Sequence, residues 1–74
     1  MRYVKVEWVD SYKENGWEYA DKFTKKPAEC KTIGIEIENT KDYICIAQSI
    51  SNSEHVSDVI TIPKGAVKNV RELK

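Results

Sequence analysis

The 74 residues contain two cysteines, two prolines, three glycines and one histidine, and each scarcity excludes something. Two cysteines, Cys30 and Cys45, permit at most one intrachain bridge, whereas a secreted scaffold of this size is usually stapled by more. Reduced cysteines and a cytoplasmic protein are therefore expected. One histidine, His55, with no C-x-x-C or H-x-x-x-H spacing, does not make a zinc site, which needs three or four ligands. The glycines are isolated, so there is no glycine-rich loop to cradle a phosphate. No apolar run approaches the 18 residues that span a bilayer, and the first residues already alternate as a strand rather than forming an apolar signal segment. Net charge is absent too: twelve basic residues balance twelve acidic ones. A nonspecific nucleic-acid binder gathers phosphates with a positive field that such a chain lacks as a whole.

What is present is alternation. Residues 33–50 read IGIEIENTKDYICIAQSI, two arms of period two around the polar turn Asn39-Thr40-Lys41-Asp42, the pattern of a β-hairpin with one buried face. A symmetric closure sets Glu38 opposite Tyr43, Ile37 opposite Ile44, Glu36 opposite Cys45 and Ile35 opposite Ile46. Ile35, Ile37, Ile44 and Ile46 then form one inner wall, and burial fixes the register because a one-residue slip would invert it.

Before this hairpin, residues 3–9 alternate with Val4, Val6 and Trp8 on the apolar side. Residues 12–31 are uneven: Asn15-Gly16 signals a turn and Lys26-Pro27 an extended step, so no long helix fits, although Trp17 and Ala20 share a face of a short one. About 20 residues without firm secondary structure are unusual in a compact domain and are commonly functional or packed by their own side chains. Beyond the hairpin, residues 51–55 form a polar loop, and 56–62 form a strand ended by Pro63. Lys64-Gly65-Ala66 suits one 3₁₀ turn. Residues 68–73 read as a last short strand, while the three-residue spacing of Val67, Val70 and Leu73 is also that of a helix. The expectation is one all-β domain over residues 1–74.

That order is similar to the five-stranded SH3-like small barrel, with a long loop after strand 1 and a 3₁₀ turn before the last strand. Ile62-Pro63-Lys64-Gly65-Ala66-Val67 resembles its prolyl turn. The chain also resembles a group of short proteins encoded by bacteriophages and prophages, mostly of unassigned function. That likeness rests on Val6-Glu7-Trp8-Val9-Asp10-Ser11, Gly16-Trp17, Thr32-Ile33-Gly34, Ile46-Ala47-Gln48-Ser49 and Ile62-Pro63-Lys64-Gly65-Ala66-Val67 with Leu73. The resemblance implies a cytoplasmic protein of phage or prophage origin and brings no activity. True SH3 domains read polyproline helices through an aromatic groove. Here the turn position holds Ala66, and the strand after residues 39–42 has no tryptophan, so proline-peptide binding is not expected.

Of the candidate chemistries, an enzyme has no constellation to support it. Cys45 opposite a carboxylate is a poor thiolate. Asp10-Ser11 suits backbone bonding where a strand ends, and Glu36 and Glu38 suit a solvated face. The better lead is the aromatic content of the long loop, which holds Tyr12, Trp17, Tyr19 and Phe23, four of the seven aromatics. Trp17 is expected to fold beneath the loop and close one end of the barrel. The others exceed what so small a barrel buries, and exposed aromatics are the usual anchors of protein interfaces. The leading expectation is a non-enzymatic binding module without cofactor, its partner a host protein or a second copy. The alternative is a binder of single-stranded nucleic acid or nucleotide through a patch of Lys22, Lys25, Lys26, Lys31, Lys64, Lys68 and Arg71.

Overall fold

A computed structural model describes residues 1–11, 16, 17, 19, 20 and 26–74. Among these residues five strands, β1 (Tyr3–Asp10), β2 (Ala28–Asn39), β3 (Tyr43–Ile50), β4 (Val56–Pro63) and β5 (Val67–Leu73), form one antiparallel sheet in the order β4-β3-β2-β1-β5. A 3₁₀ turn, Lys64–Ala66, joins the last two. The chain is thus all-β as expected, and its end is a strand paired with β1 rather than a helix. β2 begins at Ala28, inside the stretch expected to be irregular. Among the described residues β4 and β5 do not pair, so the sheet is not closed.

Alternation places the core. Val4 and Val6 of β1, Ile44 and Ile46 of β3 and Ile62 of β4 are fully buried against one another, with Trp8, Ile60, Ala66, Val67 and Val70 packed around them. Ile44 pairs with Ile62 and Ile46 with Ile60, so the β3–β4 ladder supplies three of the five fully buried residues. Residues from both ends of the strand order share one cluster, which requires the sheet to curl over its own inner face.

The curl is made at Gly34. A Cβ there would lie 2.5 Å from the Ala47 carbonyl oxygen and 2.7 Å from Ile46 Cγ2. β2 passes β3 at a separation that no larger residue permits, and glycine in a strand interior is the usual mark of such an approach. On one side of this point β2 pairs with β1 from Ala28 to Ile35, and on the other it pairs with β3 from Ile35 to Asn39.

The symmetric hairpin register is corrected. Ile35 faces Ala47, Glu36 faces Ile46, Glu38 faces Cys45 and Asn39 faces Ile44, which leaves Ile37 as the extra residue of a β-bulge. Such a bulge sets two residues against one and shifts the parity of everything beyond it. Neither Ile35 nor Ile37 therefore belongs to the inner wall: Ile35 shares the row of Tyr3 and Ala47 on the other face, where it is still buried at 8%, and Ile37 is 38% exposed. Asn39 takes part in the ladder, and the turn tightens to Thr40-Lys41-Asp42-Tyr43. There the Thr40 N–H donates to the Tyr43 carbonyl at 2.9 Å, and Thr40 Oγ1 accepts from the Asp42 and Tyr43 amides. The Lys64 amide donates to the Asp42 carbonyl at 2.8 Å, tying the 3₁₀ turn to this hairpin.

With Ile37 displaced, Glu36 occupies the row of Ile46, and a carboxylate there needs a partner. Arg2 supplies it through two parallel bonds: Nε to Oε2 and Nη2 to Oε1, both 2.8 Å. Asn39 Nδ2 donates to Oε1 at 2.9 Å, and the Glu36 amide donates to the Arg2 carbonyl. The hydrogen bonds from Arg2 hold the Glu36 carboxyl below its ordinary value of 4.5. A depressed carboxyl stabilises the fold fully above its unfolded-state pKa and loses that contribution as pH falls through the folded-state value.

Two outcomes follow from this geometry. Gly34→Ala should lower the unfolding free energy in urea by about 1–3 kcal/mol, the usual cost of overpacking, because a backbone oxygen cannot move aside. Glu36→Gln should lower the melting temperature at neutral pH, with the gap to the parent closing as pH falls below about 4. A gap of constant size across that range would remove Glu36 as the titrating group.

Candidate functional site

The long loop leaves β1 at Asp10 and returns at Ala28, the last pair of the β1–β2 ladder, so its two ends are fixed side by side. Ser11 begins the departure with its amide donating to Asp10 Oδ1 at 2.8 Å, the local backbone role expected of this pair. Of the four aromatic anchors expected in the loop, Tyr12 and Phe23 lie outside the described residues. Trp17 is fully exposed and Tyr19 is 74% exposed. The expectation that Trp17 folds beneath the loop is therefore corrected. Trp8 of β1 is the tryptophan that packs against the core, and its Nε1 donates to Thr32 Oγ1 at 2.9 Å. A strand already anchored on both sides holds Trp8 in place, whereas nothing in the alternation of 12–31 directs Trp17 inward. Gly16, immediately before it, has φ +95°, a conformation that suits glycine.

Among the described residues, two clefts lie at the base of the loop. The larger, about 530 Å³ and open, is lined by Val9, Lys26, Pro27 and Glu29. The smaller, about 120 Å³, is lined by Glu7, Trp8, Glu29, Cys30, Lys31 and Lys68. Lys68 reaches this cleft because it is the extra residue of a second bulge: Glu7 faces Asn69 and Trp8 faces Val67. Its ammonium lies 3.3 Å from Glu29 Oε1. Two lysines and two glutamates thus share one cleft, a balanced rather than a positive lining.

The remaining basic candidates are dispersed. Lys64 is in the 3₁₀ turn, Lys26 lines the other cleft, and Arg71 stands on β5 opposite Lys5 of β1. Lys22 and Lys25 lie outside the described residues. Among the described residues, then, the set brings Lys31 and Lys68 together and leaves the others apart.

His55 sits in the turn between β3 and β4. Its amide donates to Ser51 Oγ at 3.2 Å, and its Nδ1 lies 3.1 Å from Ser53 Oγ. The described residues hold no group of three side chains fit to bind a metal ion. Cys30 and Cys45 are free thiols on separate strands, and Cys45 stands opposite Glu38, not Glu36 as the symmetric register had it. Its Sγ lies 3.2 Å from Thr61 Oγ1. Beside it the Tyr43 hydroxyl donates to Glu38 Oε1, and this bond raises the phenol pKa above its ordinary value.

The alternation-based reading missed two exposed features because it sorted residues into core and loop. One is Ile37, moved outward by the bulge. The other is the run 48–59, the distal half of the β3–β4 hairpin, in which every residue is exposed. Searches of protein-family models, curated proteins and solved structures found no match to this chain.

Proposed function

We propose that this chain is a non-enzymatic protein-binding module, with the loop between β1 and β2 as its contact surface and Tyr12, Trp17, Tyr19 and Phe23 as its aromatic anchors. The exposure of Trp17 carries the reading. A fully solvated indole forgoes about 1.5–3 kcal/mol that burial of a large apolar side chain returns, and tryptophan is among the residues most enriched at the energetic centres of interfaces. Tyr19, two residues on and also exposed, extends the surface.

The scaffold is an SH3-like small barrel in this reading. Support comes from the order β4-β3-β2-β1-β5, the single curled core and the 3₁₀ turn before β5. Its partner is a host protein or a second copy, met in the cytoplasm by a protein of phage or prophage origin; that part rests on sequence resemblance. The basic residues rank behind the aromatic loop because Lys31 and Lys68 are matched by Glu7 and Glu29 in the cleft they share.

The test is capture of partners from a host lysate with the parent chain, followed by affinity measurement with a Trp17→Ala, Tyr19→Ala double variant. The variant should keep the parent's unfolding midpoint and lose at least about 30-fold in affinity, the effect of removing an anchor worth about 2 kcal/mol. Equal affinity in parent and variant would remove the loop from the contact. Steeply salt-dependent binding of mixed oligonucleotides would put the basic residues first instead.

A further inference from the structure

The β3–β4 hairpin continues well past the body of the molecule. Pairing of β2 with β3 ends at Ile35 and Ala47, whereas β3 and β4 remain paired out to Ile50 and Val56. Residues 48–59 therefore form a two-stranded arm exposed on both faces. Three residues of β3 (48–50) and four of β4 (56–59) flank the turn, so the paired part reaches about 10–13 Å. The molecule is drawn out, 52 Å along its longest axis against 22 and 21 Å across, with a radius of gyration of 15.5 Å. A compact chain of this length would have about 11 Å.

The inner apolar stripe runs on into this arm. Ile44 with Ile62 and Ile46 with Ile60 belong to the core, and two steps further Ile50 pairs with Val56 on the same face, both exposed. Two-stranded ribbons are marginal in water without an apolar cover, so this pair is a surface with a use. The arm's charge is one-sided: it holds Glu54 and Asp58 and no lysine or arginine, so it carries −2 and the rest of this neutral chain +2.

Edge pairing is obstructed. Asp58 has φ +53°, which breaks the regular outer edge of β4, and Pro63 ends that strand without a donor; both are devices that keep edge strands from joining. The β5 edge carries Lys68, Arg71 and Glu72. Contact through a face remains. The outer face of β2, β1 and β5 offers the complement: Ile33 pairs with Lys5 and Lys5 with Arg71, while Tyr3 pairs with Leu73 in the next row. Ile33 and Tyr3 are exposed, and Arg71, Glu54 and Asp58 form no ion pair among the described residues.

We infer that two copies of this chain associate through a two-fold axis, each laying its arm, with Ile50, Val56, Glu54 and Asp58, on the Ile33, Tyr3 and Arg71 face of the other. Apolar pair meets apolar pair and the arm's carboxylates meet the unpaired guanidinium. The reciprocal contact is self-complementary, as a two-fold interface must be. This surface is separate from the aromatic loop.

Sedimentation equilibrium from micromolar to millimolar chain tests it. The mass should rise from 8.5 kDa to twice that value. Ile50→Ser with Val56→Ser, Glu54→Lys alone and Arg71→Glu alone should each weaken association about tenfold or more, and Glu54→Lys combined with Arg71→Glu should recover most of the loss. Trp17→Ala with Tyr19→Ala should leave it unchanged, which separates this outcome from that of the loop. All exchanged side chains are exposed, and unchanged circular dichroism confirms folding. A mass fixed at 8.5 kDa up to millimolar concentration, a mass climbing past the dimer, indifference to the arm variants, or no recovery in the charge exchange would each overturn the assignment.

Discussion

Five aliphatic side chains, Val4, Val6, Ile44, Ile46 and Ile62, bury one another completely, and the other features of the molecule are arranged to allow it. A chain this short buries only about 60% of the surface its unfolded form exposes, so there is room for one such cluster. β-Branched residues suit it, since their stiff side chains lose little freedom on a pleated surface. Bringing β1 and β4 to the same cluster requires β2 to bend over β3, and Gly34 permits the close pass. The bulge at Ile37 then places Glu36 on the inner side of β2, where Arg2 and Asn39 satisfy its carboxylate. The core, the tight crossing and the buried-edge ion pair are successive consequences of one act of burial.

Alternation was a sufficient guide wherever a strand kept strict period two. Val4, Val6 and Trp8 in β1, Ile44 and Ile46 in β3, and Ile60 and Ile62 in β4 all face the core as their spacing required. The 3₁₀ turn Lys64–Ala66 was equally plain, because Pro63 fixes its own φ and offers no ladder donor. The hairpin register was not readable, since a bulge inserts a residue without changing the local composition: Ile37 has the same neighbours in sequence whether it faces in or out. Arg2 and Glu36 are 34 residues apart, and no local pattern joins them. β2 starts only one residue past Pro27, and the lysines before it gave no strand signal. Of the candidate site, the identity of the aromatics could be read and their direction could not, because the stretch that carries them has no periodicity to orient Trp17.

The same economy shapes the surface. Once the cluster is filled, apolar residues outside it have nowhere to go, and Trp17, Tyr19, Ile33, Ile50, Val56 and Val59 remain in contact with water. They are concentrated on the loop between β1 and β2, along the arm, and on the face of β2. A neutral chain whose described clefts pair lysines with glutamates has no strong long-range field, so its surface character is set by these apolar patches.

The account depends most on which isoleucines support the fold. Equilibrium urea unfolding of Ile46→Ala and Ile37→Ala, compared side by side, tests this directly. Ile46→Ala should cost about 2–5 kcal/mol, as loss of a fully buried aliphatic does, and Ile37→Ala should cost less than about 1 kcal/mol, as expected of a side chain turned toward solvent. Equal and large losses at both positions would restore Ile37 to the inner wall and contradict the register on which the crossing, the Arg2–Glu36 pair and the core all rest.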